Sequence, residues 1–287
     1  MKGKIIVPAD FTEQSNHTVE YAFLLSQKMK KNLELVHAEN LAFYGSHYNM
    51  SKDIKSPPIT NRDEELQRIS NAQISFDKLM DEFSQKYIDL PPVEFTIKSG
   101  TYYDVLRNEI DCTNADLLVL EGSSKTGFLL YLDNKYRDLI DDVPCPVLVV
   151  PPKTEFGEIR AINYVTTCSP GDIKSLKRLT EFSGSLNAKV NVFFLSDVKS
   201  EDEIEEKEKT AEALRDKTEF DNLRVFLVKG DDVAETLVNA SKEIEADILS
   251  VMHEEKGYFR RIFGSSESKK LTVKTDKPVL VFHEKDF

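Results

Sequence analysis

The chain has 287 residues, 40% hydrophobic and 31% charged, with a formal net charge of −12, which gives length for two domains of ordinary globular composition. So acidic a balance argues against broad nucleic-acid binding, which needs a basic face, and no stretch approaches the about 20 apolar residues of a membrane span. Three scattered cysteines, Cys112, Cys145 and Cys168, have no metal-ligand spacing and suit a reducing compartment. The opening MKGKIIVPAD lacks the apolar length of a signal peptide, so the expected location is the cytoplasm.

In chain order, Lys4–Val7 is a β-branched run that stops at Pro8 and reads as a buried strand. Thr12 is placed to cap a helix whose apolar positions include Val19, Phe23 and Leu24. A second strand covers Leu33–His37, and a long polar and aromatic connection spans Asn40–Asn61. The segment Arg62–Tyr87 predicts a helix, with Leu66, Ile69, Phe76, Leu79 and Phe83 on one face. Pro91-Pro92 precede a strand at Val93–Lys98, and Gly100 turns the chain into a helix over Asp104–Cys112. Strands follow at Leu117–Leu120 and, after Pro144-Cys145-Pro146, at Val147–Val150.

The pattern then restarts. Strands are expected at Ile162–Thr166, Val190–Leu195, Leu223–Val228, after Ala246, and at Val279–Phe282. Helices are expected over Gly171–Ser183, over Glu201–Phe220, and from Gly230 to Ile244. ADLLVL at Ala115 recurs as ADILSV at Ala246, 131 residues on (246 − 115), and Pro146 recurs as Pro278. A period this long is a duplicated domain, giving domains at 1–152 and 153–287. Strand–helix alternation with unalternated apolar strands implies α/β units with parallel sheets covered on both faces.

VPADFTEQSNHTVEYA, KSGTYYDVL, ADLLVLEGSSKTG and PCPVLVV, in this order and in two copies, resemble the universal stress protein family. The resemblance implies two doubly wound five-stranded parallel-sheet domains of strand order 3-2-1-4-5, joined as a pseudo-dimer through their last strands. Some members of the family bind ATP. They use an Asp after the first strand and a loop Gly-2x-Gly-9x-Gly-(Ser/Thr) after the fourth, whose amides hold phosphate at a helix start.

Carried onto this chain, the candidate nucleotide residues of domain 1 are Pro8, Ala9, Asp10, Val36, Gly122, Ser123 and Ser124, with ATP, ADP or AMP as ligand. The loop departs from the pattern: Glu121 and Ser124 stand where the first two glycines belong, and Asp133-Asn134 replace the final Gly-Ser. In domain 2, Gly264, Ser265 and Ser266 keep the helix-start part as a candidate anion site, beside Arg260 and Arg261. There Met252 and Glu255 replace the first glycines, and Thr167 stands where Asp10 does. Each repeat thus keeps one portion of the site and loses the other.

Asp10 is expected to contribute little to folding. His17 and His37 could meet near the first cleft. The fragment His253-Glu254-Glu255 lacks a second histidine at i+4 and reads as a solvated turn, so no metal site is expected. No Ser–His–Asp set and no Walker-type loop appears. The expectation is a non-enzymatic stress-response or adaptor protein with an unidentified protein partner and no nucleic acid or membrane. The alternative is an adenine-nucleotide-binding regulator or weak ATPase using the first cleft.

Overall fold

The computed structural model describes residues 3–39, 62–122, 139, 142–166, 172–196, 209, 222–229, 239, 243–253 and 275–283. The expected connection Asn40–Asn61 lies outside these residues, as do most of the expected helices over Glu201–Phe220 and from Gly230 to Ile244. Contacts divide the chain into two units, Met1–Leu120 with Asn134–Val143, and Glu121–Asp133 with Pro144–Phe287.

The first unit runs β1 (Lys4–Pro8), α1 (Glu13–Met29), β2 (Asn32–Glu39), α2 (Arg62–Lys86), β3 (Val93–Ser99), α3 (Tyr102–Thr113) and β4 (Leu117–Glu121). Its strands lie in the order β3-β2-β1-β4, all parallel. The helix ends follow from local chemistry. Thr12 accepts from the Ser15 amide at 3.2 Å and starts α1, and Lys30 ends it in the left-handed conformation. Thr101 does the same at α3, accepting from the Asp104 amide at 3.1 Å while its hydroxyl donates to the Asp104 carboxylate. Gly100, at φ 153°, occupies backbone space unsuited to a side chain; an added Cβ would also stand 3.0 Å from Val105. The buried stripe of α2 consists of Ala72, Leu79 and Phe83. Leu66, expected on that stripe, is exposed.

The second unit contains β5 (Val147–Val150), β6 (Ala161–Thr166), α4 (Asp172–Leu186), β7 (Lys189–Ser196), β8 (Leu223–Lys229), β9 (Ile248–His253) and β10 (Val279–His283). Its order is β5-β10-β9-β6-β7-β8. Read from the far edge, β8-β7-β6-β9-β10 is the expected 3-2-1-4-5 of one repeat, all parallel. The fold class is therefore the doubly wound α/β class with mostly parallel sheets. β5, the last strand of the first repeat, joins β10 antiparallel, with Val147, Leu148 and Val149 opposite Val281, Leu280 and Val279. This is the joining of last strands expected from the sequence. All six side chains are buried, each worth about 1.5–3 kcal/mol on burial.

Polar groups in such strands need partners. Glu34 of β2, 2% exposed, receives the Thr96 hydroxyl at 2.6 Å and the Lys4 ammonium at 2.9 Å. Burial pulls the Lys4 pKa down, but hydrogen bonds to Glu94 and Glu34 outweigh it and raise the pKa. In the second unit Asn191 donates to Asn163, which donates to the Ile244 carbonyl, both at 2.8 Å. Asp247 accepts from the Arg160 and Ala161 amides and fixes the start of β6. Ser250 lacks such a partner: its hydroxyl is buried in β9 without a hydrogen bond, where the first repeat has Val119. An unsatisfied buried hydroxyl costs about 1–3 kcal/mol. Ser250→Ala should therefore raise unfolding stability by about 1 kcal/mol in urea titrations at unchanged m-value.

On the α1 side of the first unit, Glu20 is bonded to the Lys86 ammonium and, at 2.5 Å, to the Tyr87 hydroxyl. Burial alone would raise the Glu20 pKa; these two bonds and the Lys86 charge outweigh it and hold the pKa below 4.5. A depressed carboxylate contributes stability above its unfolded value and loses it as pH falls through the folded one. Glu20→Gln should therefore lower stability at pH 7, and the deficit should shrink as the pH of the unfolding titration falls below 4.5.

Candidate nucleotide site

In α/β sheets ligands sit at the carboxyl ends of the strands, and in the first unit this edge carries Pro8, Ala9, Asp10 and Val36. Pro8 ends β1 in register with Val36. Both are buried, so they shape the edge through backbone groups. Those groups are engaged by the chain itself. The Ala9 amide donates to the Val36 carbonyl at 3.0 Å, and the Ala9 carbonyl accepts from His37 Nδ1 at 2.7 Å.

Asp10 is half-buried and turned back on its own loop. Its Oδ1 accepts from the Thr12 amide at 3.0 Å and the Thr12 hydroxyl at 2.7 Å, and its amide donates to the Ser15 hydroxyl at 3.1 Å. Thr12 in turn caps α1, so Asp10 supports the cap, contrary to its expected small part in folding. The turn requires Phe11 at φ 60°, a left-handed conformation that bulky residues rarely adopt. Its ring lies 5.7 Å from the His37 ring and 5.6 Å, edge-on, from that of Phe95. Phe95 stacks on Phe76 at 4.5 Å.

Past His37 the network continues. His37 Nε2 faces Glu39 Oε2 at 3.3 Å, and Arg68 Nε of α2 meets Glu39 Oε1 at 2.6 Å. The Glu39 carbonyl accepts from the Gly100 amide at 3.0 Å. The sequence reading missed Glu39, Arg68 and Phe11 as parts of this edge. One signal was available: residues two apart in a strand share a face, so His37 and Glu39 belong together in VHAE. The arrangement offers an aromatic surface bordered by an ion pair.

Gly122 belongs to the second unit. Its amide donates to the Val150 carbonyl at 2.8 Å. An added Cβ would stand 3.2 Å from that oxygen and 3.4 Å from Pro151 Cα. Backbone atoms cannot swing aside, so close strand approach by itself explains a glycine there. Ser123 and Ser124 lie outside the described residues. So do Gly264, Ser265 and Ser266, with Arg260, Arg261 and Thr167. Among the described residues no group of three or more His, Cys, Asp or Glu side chains is arranged to hold a metal ion, and no helix is long and apolar enough to cross a membrane.

Doubly wound, mostly parallel sheets with a polar constellation at the carboxyl ends of β1 and β2 define a protein of the doubly wound α/β class. The family model described as the universal stress protein family matches residues 1–151. The chain belongs to the universal stress protein family. Among solved structures, it is similar to a universal stress protein from Archaeoglobus fulgidus DSM 4304, with TM-score 0.68, 15% identity and 98% of each chain covered. It is also similar to a protein described as a putative universal stress protein from Pseudomonas aeruginosa UCBPP-PA14, with TM-score 0.59, 13% identity, and 98% of this chain and 93% of that one covered. The cytoplasmic domain of a prokaryotic cation chloride cotransporter gives TM-score 0.56 at 10% identity, over 100% of this chain and 98% of that one. At these identities the likeness is one of fold. Among curated proteins none matches.

Two substitutions test whether Asp10 and Gly122 serve the fold. Asp10→Ala removes two hydrogen bonds and should cost about 1 kcal/mol. Gly122→Ala should cost about 1–3 kcal/mol by overpacking. Both losses should appear in thermal unfolding of nucleotide-free protein.

Proposed function

We propose that this protein is a non-enzymatic member of its family, a stress-response or adaptor protein that acts through its surface on a protein partner, with nucleotide clefts degenerate in both repeats. The observation that carries this reading is the engagement of Asp10 Oδ1 by Thr12. A carboxylate committed to a helix cap is less available to read an adenine edge. The Ala9 amide and carbonyl and the Val36 carbonyl are occupied in the same way. The sequence supports it further: Glu121 and Asp133 bring negative charge to loop positions where triphosphate binders carry glycines. Two like charges at 4 Å repel by about 1 kcal/mol even in bulk water. With β5 already on the open edge of β10, self-association would need another surface.

A second reading is favoured by Asp10 and Gly122 being present in this chain: an adenine-nucleotide-binding regulator or weak ATPase using the first repeat. Isothermal titration with ATP, ADP and AMP separates the two. The expected outcome is no heat and no thermal shift at millimolar nucleotide. Micromolar binding would overturn the adaptor reading.

A further inference from the structure

At position 11 the backbone and the side chain make opposite demands. The turn after β1 is closed by bonds among Asp10, Thr12 and Ser15, none of which uses the side chain of residue 11. It sets φ there at 60°, a region that suits Gly or Asn and penalises a bulky side chain. The phenylalanine is held by what its ring touches, the His37 ring at 5.7 Å and the Phe95 ring at 5.6 Å. Those two rings stand on one face of the sheet, because β2 and β3 pair Leu35 with Phe95 and His37 with Ile97. Both are fixed without Phe11. His37 is tied through Nδ1 to the Ala9 carbonyl at 2.7 Å, and its Nε2 faces Glu39 at 3.3 Å. Phe95 is backed by Phe76, stacked at 4.5 Å and 10° from parallel. The place between His37 and Phe95 therefore keeps its walls when the Phe11 ring leaves. Phe11, Phe76 and Phe95 are only part-buried, so this place opens to solvent and is not a sealed core position.

We infer that Phe11 is the built-in occupant of a binding seat for an uncharged planar aromatic molecule, its ring taking the place such a ligand would have between His37 and Phe95. The inference rests on the adaptor reading, for which it supplies a physical reason: the first cleft is closed by its own chain. Aromatic walls accept planar π systems with little regard to their substituents, in the tilted and edge-on arrangements that Phe11 itself adopts. An apolar space vacated by a large side chain takes up aromatic molecules of similar size. The ligand is uncharged because the charges nearest the seat, Glu39 and Arg68, already face each other at 2.6 Å. The seat borders the carboxyl end of β1, where α/β sheets hold ligands.

The test uses the full chain with Phe11→Gly and, separately, Phe11→Asn. Each vacates the seat, and both residue types accept the left-handed backbone, so the fold is kept, as circular dichroism checks. Indole is the probe, since the chain has no tryptophan and indole fluorescence is read without that background. Each variant should bind one indole per chain at least about 10-fold tighter than the parent, and should gain thermal stability from it. Adding Phe95→Leu to Phe11→Gly should weaken indole binding about 10-fold, the order of one aromatic stacking contact. Adding Phe226→Leu instead, from the pair stacked with Phe193 in the second unit, should change nothing. Equal indole binding by parent and variants, no binding by the folded variants, or binding that survives Phe95→Leu unchanged would overturn the inference. The adaptor reading is tested apart from this, by ATP, ADP and AMP titrated into the parent. Micromolar nucleotide binding there overturns that reading whatever indole does, whereas failure of indole to bind the variants overturns the seat alone.

Discussion

A parallel sheet has to be covered on both faces, and this constraint governs the rest of the molecule. It makes the strands nearly continuous in apolar residues: Ile5-Ile6-Val7, Leu117–Leu120 and Val147–Val150 are all buried. It makes partners valuable for polar residues inside strands. Glu34 has Lys4 and Thr96, Asn191 has Asn163, and Ser250 has none, which makes it a local weak point of β9. It also drives the chemistry of the fold to the strand ends, where side chains can leave the core.

At those ends the first repeat has turned its polar groups inward. Asp10, Thr12 and Ser15 form one hydrogen-bonded turn, while Ala9, His37, Glu39 and Arg68 form a second chain of contacts. Both close on neighbouring residues of the same unit. The residue type that would bind a nucleotide is therefore present, but its local bonds explain it as a helix-cap support. In the second repeat the sequence has Thr167 at the position that corresponds to Asp10.

Much of the fold could be read from the sequence because its causes are local or periodic. Apolar runs bounded by Pro and Gly located the strands, the cap of α1 followed from Thr12, and the duplicated PVLVV and PVLVF segments pointed to the joining of β5 with β10. The turn at Asp10 was not legible. It depends on Phe11 adopting a left-handed conformation, which nothing in a phenylalanine favours and which ring contacts with His37 and Phe95 help hold. The Glu39–Arg68 pair joins residues on different elements, so spacing along the chain does not reveal it. Helical periodicity also misjudged α2: it counted Leu66 as inward, whereas the described stripe passes through the smaller Ala72.

The antiparallel union of β5 and β10 has a consequence for synthesis on the ribosome. Val147 emerges 134 residues (281 − 147) before its partner Val281, roughly 7–27 s at typical elongation rates of about 5–20 residues per second. During that interval an entirely apolar strand has no β10 beside it, and an uncovered strand edge is a template for pairing with another chain. The nascent first repeat is thus the stage of this protein's life most exposed to misassembly. Chaperone cover during that interval, and the pace of translation through the second repeat, would limit how long the edge stays open to other chains.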